Sequence, residues 1–251
     1  MRIAVASGKG GTGKTTVAVN LALTAVRAGQ SVHLCDCDVE EPNAHIFLNP
    51  DIKEAGPVKV PFPVVDQEKC DHCGKCAEIC EFNAIASLPE STIVFGDLCH
   101  SCSGCWLVCP TGAIEKGERI LGEVESGTAH SMSFSQGLLK VGETVVPPVI
   151  EVVKGKSAGS PWAILDSPPG TTCPVVETLR DVDFVVLVTE PTPFGLHDLD
   201  LAVKLARALG RPFGVAINRD VAGHDLIDQC QPVVSRETAP VRNPHHHRRG
   251  Q

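Results

Sequence analysis

The sequence predicts an α/β protein, a mostly parallel sheet with helices on both faces, interrupted by a smaller inserted α+β unit. Three observations carry that expectation. Strand-like and helix-like segments alternate at both ends of the chain. The strands are continuous Val/Ile/Leu runs, as required when helices cover both sheet faces. The middle is different in kind: eight of the twelve cysteines fall between residues 70 and 109.

In order, residues 2–6 (RIAVA) read as a buried strand, followed by a glycine loop at 8–13. A helix is predicted from about Thr15 to Ala28, with Gly29 as its C-cap. Residues 31–35 form a second strand. Residues 50–66 are rich in Pro and Val, and 117–142 are Gly-rich with two short alternating stretches that fit a hairpin. Alternation then returns: strand 162–165, helix 174–180, strand 184–188, helix 197–209, strand 213–217 and a short helical stretch. From Gln231 onward, Pro232, Pro240, Pro244 and HHHRR lack periodicity, so 231–251 is expected to be a disordered tail.

A chain of 251 residues holds one or two domains and buries a core without staples. Lys+Arg 22 against Asp+Glu 30 leaves a net charge of −8, which opposes nucleic-acid binding by bulk charge. Tyr is absent and Trp numbers 2, so single-stranded nucleic acid finds few stacking platforms. The opening apolar run is too short for a signal peptide, and no run approaches a spanning helix. The expectation is a cytoplasmic protein with no membrane association, whose reduced cysteines are ligands rather than disulfides.

Those cysteines repeat. Cys70, Cys73, Cys76 and Cys80 recur as Cys99, Cys102, Cys105 and Cys109, each 29 residues on, and Ala84-Ile85 recurs as Ala113-Ile114. Each half reads C-x2-C-x2-C-x3-C, and Pro110 completes the bacterial ferredoxin run in the second. Three cysteines at that spacing wrap one cubane, and the fourth, at a helix start pointing away, reaches the other. The predicted ligand sets are therefore crossed. One [4Fe-4S] cluster takes Cys70, Cys73, Cys76 and Cys109; the other takes Cys80, Cys99, Cys102 and Cys105. Zinc also uses C-x2-C pairs, but leaves the third and fourth cysteines of each half unexplained. Glu81 stands where the first half would carry proline. Cys35, Cys37 and Cys230 read as buried, inert thiols.

The loop Gly8-Lys9-Gly10-Gly11-Thr12-Gly13-Lys14-Thr15 fits two templates. Gly8, Gly10 and Gly13 match the dinucleotide fingerprint, with Asp36 placed 23 residues after Gly13 as a ribose acid. Lys14-Thr15 decides for the P-loop. A triphosphate site needs an ammonium on the terminal phosphates and a hydroxyl on Mg²⁺; a dinucleotide site needs neither. The expected ligands are ATP and Mg²⁺.

Lys9 adds a resemblance. Lys9 through Thr15 resembles the deviant Walker A box of the MinD/ParA class, which includes the nitrogenase iron protein and Mrp-type cluster carriers. The resemblance implies that Lys9 reaches across an ATP-dependent homodimer, or a heterodimer with a related ATPase, to the partner's nucleotide. Asp36-Cys37-Asp38 resembles the first switch, in which Asp38 orients the attacking water. Asp166-Ser167-Pro168-Pro169-Gly170 resembles Walker B and the second switch, with Asp166 near Mg²⁺ alongside Thr15. Asn218 stands where family members place an adenine-reading Asn, and Thr16 extends the phosphate-binding run. As a whole the chain resembles MinD-superfamily ATPases with an inserted ferredoxin domain, over about residues 1–225. Expected domains are 1–57 and 117–230 for the ATPase, 58–116 for the ferredoxin and 231–251 for the tail. The departure after the Asn-Arg pair reads as truncation or frameshift.

Two functions follow. In one, ATP hydrolysis gates electron transfer through the two clusters to a redox partner protein. In the other, the chain is an ATP-dependent iron–sulfur cluster or metallocofactor assembly factor or carrier. Complete ligand sets favour the relay. A spatial organiser is disfavoured, because the chain shows no basic amphipathic C-terminal helix. Cys173, seven residues past Asp166, reads either as a buried helix-start residue or as part of a redox or cluster-transfer site.

Overall fold

The computed structural model describes residues 1–219. Its elements run β1 (Arg2–Ala6), α1 (Lys14–Arg27), β2 (Val32–Asp36), α2 (Ala44–Leu48) and β3 (Asp51–Val65). A cysteine-bearing segment follows, with α3 (Lys75–Glu78), β4 (Ile85–Ser87), β5 (Thr92–Val94) and α4 (Gly104–Val108). The chain returns through β6 (Ile114–Ala129), β7 (Met132–Leu139), α5 (Pro147–Gly155) and β8 (Trp162–Asp166). It continues with α6 (Cys173–Leu179), β9 (Phe184–Thr189), α7 (Pro193–Ala208) and β10 (Phe213–Ile217).

One eight-stranded sheet has the order β10-β9-β1-β8-β2-β7-β6-β3. The six strands from β10 to β7 are parallel, and β6 and β3 extend the edge antiparallel. Alternation in β1 shows how the sheet is covered. Ile3 and Val5 pack with Ala18, Val19 and Ala22 of α1, while Ala4 and Ala6 pack with α5, α6 and α7 residues such as Ile150, Leu179 and Val203. Successive strand side chains point to opposite faces, so each strand serves two cores and must be apolar throughout.

The long hairpin was not predicted as such. Residues 50–66 gave no regular pattern, yet β3 pairs with β6 from Asp51↔Thr128 to Val65↔Ile114. Its prolines, Pro57, Pro61 and Pro63, are tolerated because β3 is the sheet edge, where one side of each residue needs no partner. The suspected hairpin within 117–142 exists as β6 and β7, joined through His130 and Ser131, both at positive φ. Helix α5, opened by Pro147 and Pro148, had no sequence expectation. The expected boundaries at 57/58 and 116/117 fall inside β3 and β6, whose ladder runs through both.

The segment from 66 to 113 hangs at the end of that ladder with its own two-stranded sheet and a small core of Ile85, Cys105 and Ile114. Its backbone repeats as its cysteines do. His72, Gly74 and Asn83 have positive φ, and so do Ser101, Ser103 and Gly112, each 29 residues later. Helices α3 and α4 start at the same offset. Among the described residues no helix is long and apolar enough to cross a membrane. The expected tail, the short helical stretch after β10 and Cys230 lie outside the described residues.

Candidate functional site

The P-loop bridges β1 and α1. Gly11 and Gly13 hold φ of 80° and 88°, which a side chain would strain. A Cβ on Gly13 would also lie 2.3 Å from Asn218 Nδ2, and one on Gly8 would lie 2.1 Å from the Asp198 carbonyl oxygen. The loop is thus gripped between β10's end and the first turns of α7. Gly10 leaves open space around it, Thr12 is buried, and Thr16 is exposed on α1.

Lys14, the first residue of α1, is buried with Nζ 3.4 Å from Asp166 Oδ1 and 3.9 Å from Asp38 Oδ2. Parallel pairing of β2 with β8 sets Asp36 beside Asp166 in register. One ammonium therefore faces two carboxylates, with a third, Asp36, beside Asp166. Burial pushes the Asp38 carboxyl up to about 6, opposed by Lys14 and reinforced by Asp166. Asp36 rises to about 7 through burial and then Asp166. Asp166 is raised by burial too, against Lys14 and the Thr15 hydroxyl bonded to it. Asp166 Oδ2 and Thr12 Oγ1 are buried without a hydrogen-bond partner. This surplus of buried negative charge, with an orphaned oxygen beside Thr15, is the donor set a Mg²⁺ ion fits.

Asp36 has a different task from the ribose acid of the dinucleotide template. Its Oδ1 accepts from Asp38 N–H, and its Oδ2 from Asn43 and Ala44 N–H, so it ties the loop after β2 to the start of α2.

Lys9 and Asn218 are engaged within the chain. Lys9 Nζ lies 2.9 Å from Glu190 Oε1, and Arg219 Nη1 lies 3.5 Å from Glu190 Oε2. Glu190 carries no sequence signal, since it follows β9 with no motif to mark it. Asn218 Nδ2 donates to the Thr12 carbonyl at 2.9 Å, and its Oδ1 accepts from Arg219 N–H.

The eight repeat cysteines separate into two groups. Cys70, Cys73, Cys76 and Cys109 line one cavity, and Cys80, Cys99, Cys102 and Cys105 line another. Among the described residues, no three His, Cys, Asp or Glu side chains close on a point sized for one ion. The four cysteines of each tetrad line a shared cavity. Ser101 Oγ, on the second cavity's wall, is buried without a partner. Donor chemistry and this orphaned hydroxyl both fit an anionic iron–sulfur cluster. Cys35 and Cys37 are buried, and burial raises both thiols, which leaves them protonated. Cys173 opens α6 and is exposed, not buried as one sequence reading had it.

Residues 3–242 match the family described as CobQ/CobB/MinD/ParA nucleotide binding domain, a match that runs past residue 225. An uncharacterized protein of Methanocaldococcus jannaschii is 34% identical over 202 residues, covering 79% of this chain and 70% of its own. An iron-sulfur cluster carrier protein of the same organism is 23% identical over 238 residues; the chain spans 63% of its length and the match covers 93% of this one. Among solved structures, the septum site-determining protein MinD of Pyrococcus horikoshii, complexed with Mg-ADP, is similar at TM-score 0.54 and 18% identity. That likeness covers 92% of this chain and 76% of MinD, and it bears on fold alone.

Proposed function

Because the chain belongs to the CobQ/CobB/MinD/ParA nucleotide-binding family, we propose that it hydrolyses ATP and couples its nucleotide state to electron transfer through two [4Fe-4S] clusters. The observation that carries this reading is the sorting of eight cysteines into two cavity-lining tetrads on a P-loop sheet.

In this reading Lys14 meets the terminal phosphates in place of Asp38 and Asp166. Thr15 and Asp166 hold Mg²⁺, Asp38 orients the water, and P-loop N–H groups close on phosphate oxygens. Lys9 leaves Glu190 to reach the nucleotide of a partner subunit. The ferredoxin unit, which takes 58–116 as its span, holds one cluster on Cys70, Cys73, Cys76 and Cys109 and another on Cys80, Cys99, Cys102 and Cys105. Bound there, each cluster stores one electron.

The two halves are in contact through Arg119 of β6. Its guanidinium donates to the carbonyls of Gly96 and Cys99 and pairs with Glu143 at 3.5 Å. Glu143 accepts from Thr144 and Val145 N–H just before α5. From α5, buried Lys154 reaches Glu177 of α6, the helix after the second switch. A movement of that switch thus has a packed route to a cluster ligand.

A second reading, a cluster carrier, is favoured by the distant relatives named iron-sulfur cluster carrier protein. One experiment separates the two. Reduced, cluster-loaded protein is given ATP together with an apo-acceptor protein, and separately with a one-electron oxidant dye. The relay expects ATP to change the oxidation rate while all iron stays on this chain. Transfer of iron and sulfide to the apo-acceptor on ATP addition would establish the carrier instead.

A further inference from the structure

Matched residues of the two cysteine repeats differ where they touch the ligand sulfurs. Thr92 lines the first cavity, and 29 residues earlier Pro63 lines the second. Thr92 Oγ1 lies 3.4 Å from Cys70 Sγ, whereas proline offers no donor there. Thr92 is buried and clamped: its N–H donates to Gln67 Oε1 at 3.0 Å, and Gln67 Nε2 donates to its carbonyl at 2.8 Å. Ser87 and His72 Nδ1 also lie within 3.5 Å of that hydroxyl, but Ser87 donates to the His72 carbonyl. An ionised thiolate is the stronger acceptor for the Thr92 proton.

The second pair lies beside the fourth cysteine of each half. Thr111 Oγ1 is 3.7 Å from Cys109 Sγ. Its match beside Cys80 is Phe82, a ring stacked on His100 at 3.7 Å. Backbone donors do not offset this, since Ala84 N–H bonds Cys80 Sγ and the matching Ala113 N–H faces Cys109. On the other side, Ser101 supplies the second cavity with one unpartnered hydroxyl. Two hydroxyls therefore address ligand sulfurs in the first site, whereas Ser101 and Ser103 line the second cavity without a hydrogen bond to a ligand sulfur.

Hydrogen bonds to cluster sulfurs stabilise the more negative, reduced state and raise the reduction potential. Resting on the cluster reading above, we propose that the two sites are electronically unequal: Thr92 and Thr111 make the Cys70–Cys109 site the one that takes the first electron. One electron from an added reductant such as dithionite converts [4Fe-4S]²⁺ to [4Fe-4S]⁺ in that site, with no bond or proton changed. Thr92, Thr111 and, behind Thr92, Gln67 are positioning residues for the redox order.

The test is a stepwise anaerobic dithionite titration of the full chain followed by electron paramagnetic resonance, with iron and sulfide counted in the same samples. The first electron is expected on the Cys70 site by about tenfold, a separation of about 59 mV for one electron. Thr92→Val should lower the higher step and leave the lower one, and Thr111→Val, at an exposed position, should move the same step. Thr92→Ser should keep the wild-type value, and Ser101→Ala should move the lower step. Threonine variants that move the lower step, or neither, would overturn the proposal, as would a single unresolved step in fully loaded protein. Samples without sulfide would overturn the cluster reading itself, a different result.

Discussion

Lys14 shows how much of the nucleotide site is electrostatic. It is the buried counter-charge for Asp38 and Asp166, whose carboxyls burial has already raised. Lys14→Ala should weaken ATP binding by about 3 kcal/mol, about a hundredfold, through loss of a charge-assisted bond to phosphate. Calorimetric titration with ATP and Mg²⁺ measures it, and unchanged affinity would remove Lys14 from the site. His33, on β2, titrates in the opposite sense to these acids. Burial, then the nearby Lys156 charge, lowers it to about 4, and its Nε2 lies 2.9 Å from Ser135 Oγ. A folded-state value below the unfolded one contributes stability above the unfolded value of about 6.5, lost as pH falls through the folded value. Melting curves from pH 7.5 to 5 should therefore fall more steeply for the wild type than for His33→Gln, by on the order of 2 kcal/mol at pH 5. Parallel curves would show that His33 charges without cost. Lys14 was legible in the sequence because a triphosphate site demands a cation at that place in the glycine loop; His33 was not, because its partner lies 102 residues away in a strand with no motif.

At the scale of elements, five of the six parallel strands and α1 were legible to within a residue or two, since continuous apolar runs and a glycine loop have few alternatives, while β7 was expected only as one arm of a hairpin. The β3–β6 ladder was not. Its prolines argue against a strand, and only an edge position with a 14-pair partner makes them acceptable. That ladder carries Arg119, where the cysteine segment is tied to the rest. Arg119→Ala should leave basal ATPase and iron content near wild type, while reducing any effect of ATP on the oxidation rate of the clusters. Parallel assays of the two rates check this, and an undiminished ATP effect would show that Arg119 does not couple the halves. The same substitution should cost about 1–3 kcal/mol of stability, because the Gly96 and Cys99 carbonyls lose a charged donor.

At the scale of the molecule, two cysteine tetrads line two cavities at the end of a sheet that carries a P-loop at its centre. The two cavity-lining groups follow a repeat that the sequence shows: three cysteine spacings and one alanine–isoleucine pair recur at one offset, and the left-handed backbone positions recur with them. The redox inequality was not, because it depends on which residue of each matched pair meets a sulfur, and Pro63 and Phe82 break no pattern in the sequence. The engagement of Lys9 with Glu190 was equally hidden, since a family signature says where a lysine can go in a dimer and not what holds it before. The central claim, that these tetrads hold two [4Fe-4S] clusters on a nucleotide-binding sheet, meets its most direct test in the iron and acid-labile sulfide content of anaerobically purified protein. The account expects about eight irons and eight sulfides per chain, about four of each remaining when Cys70 and Cys73 are replaced by alanine together. Stoichiometric zinc without sulfide would contradict it.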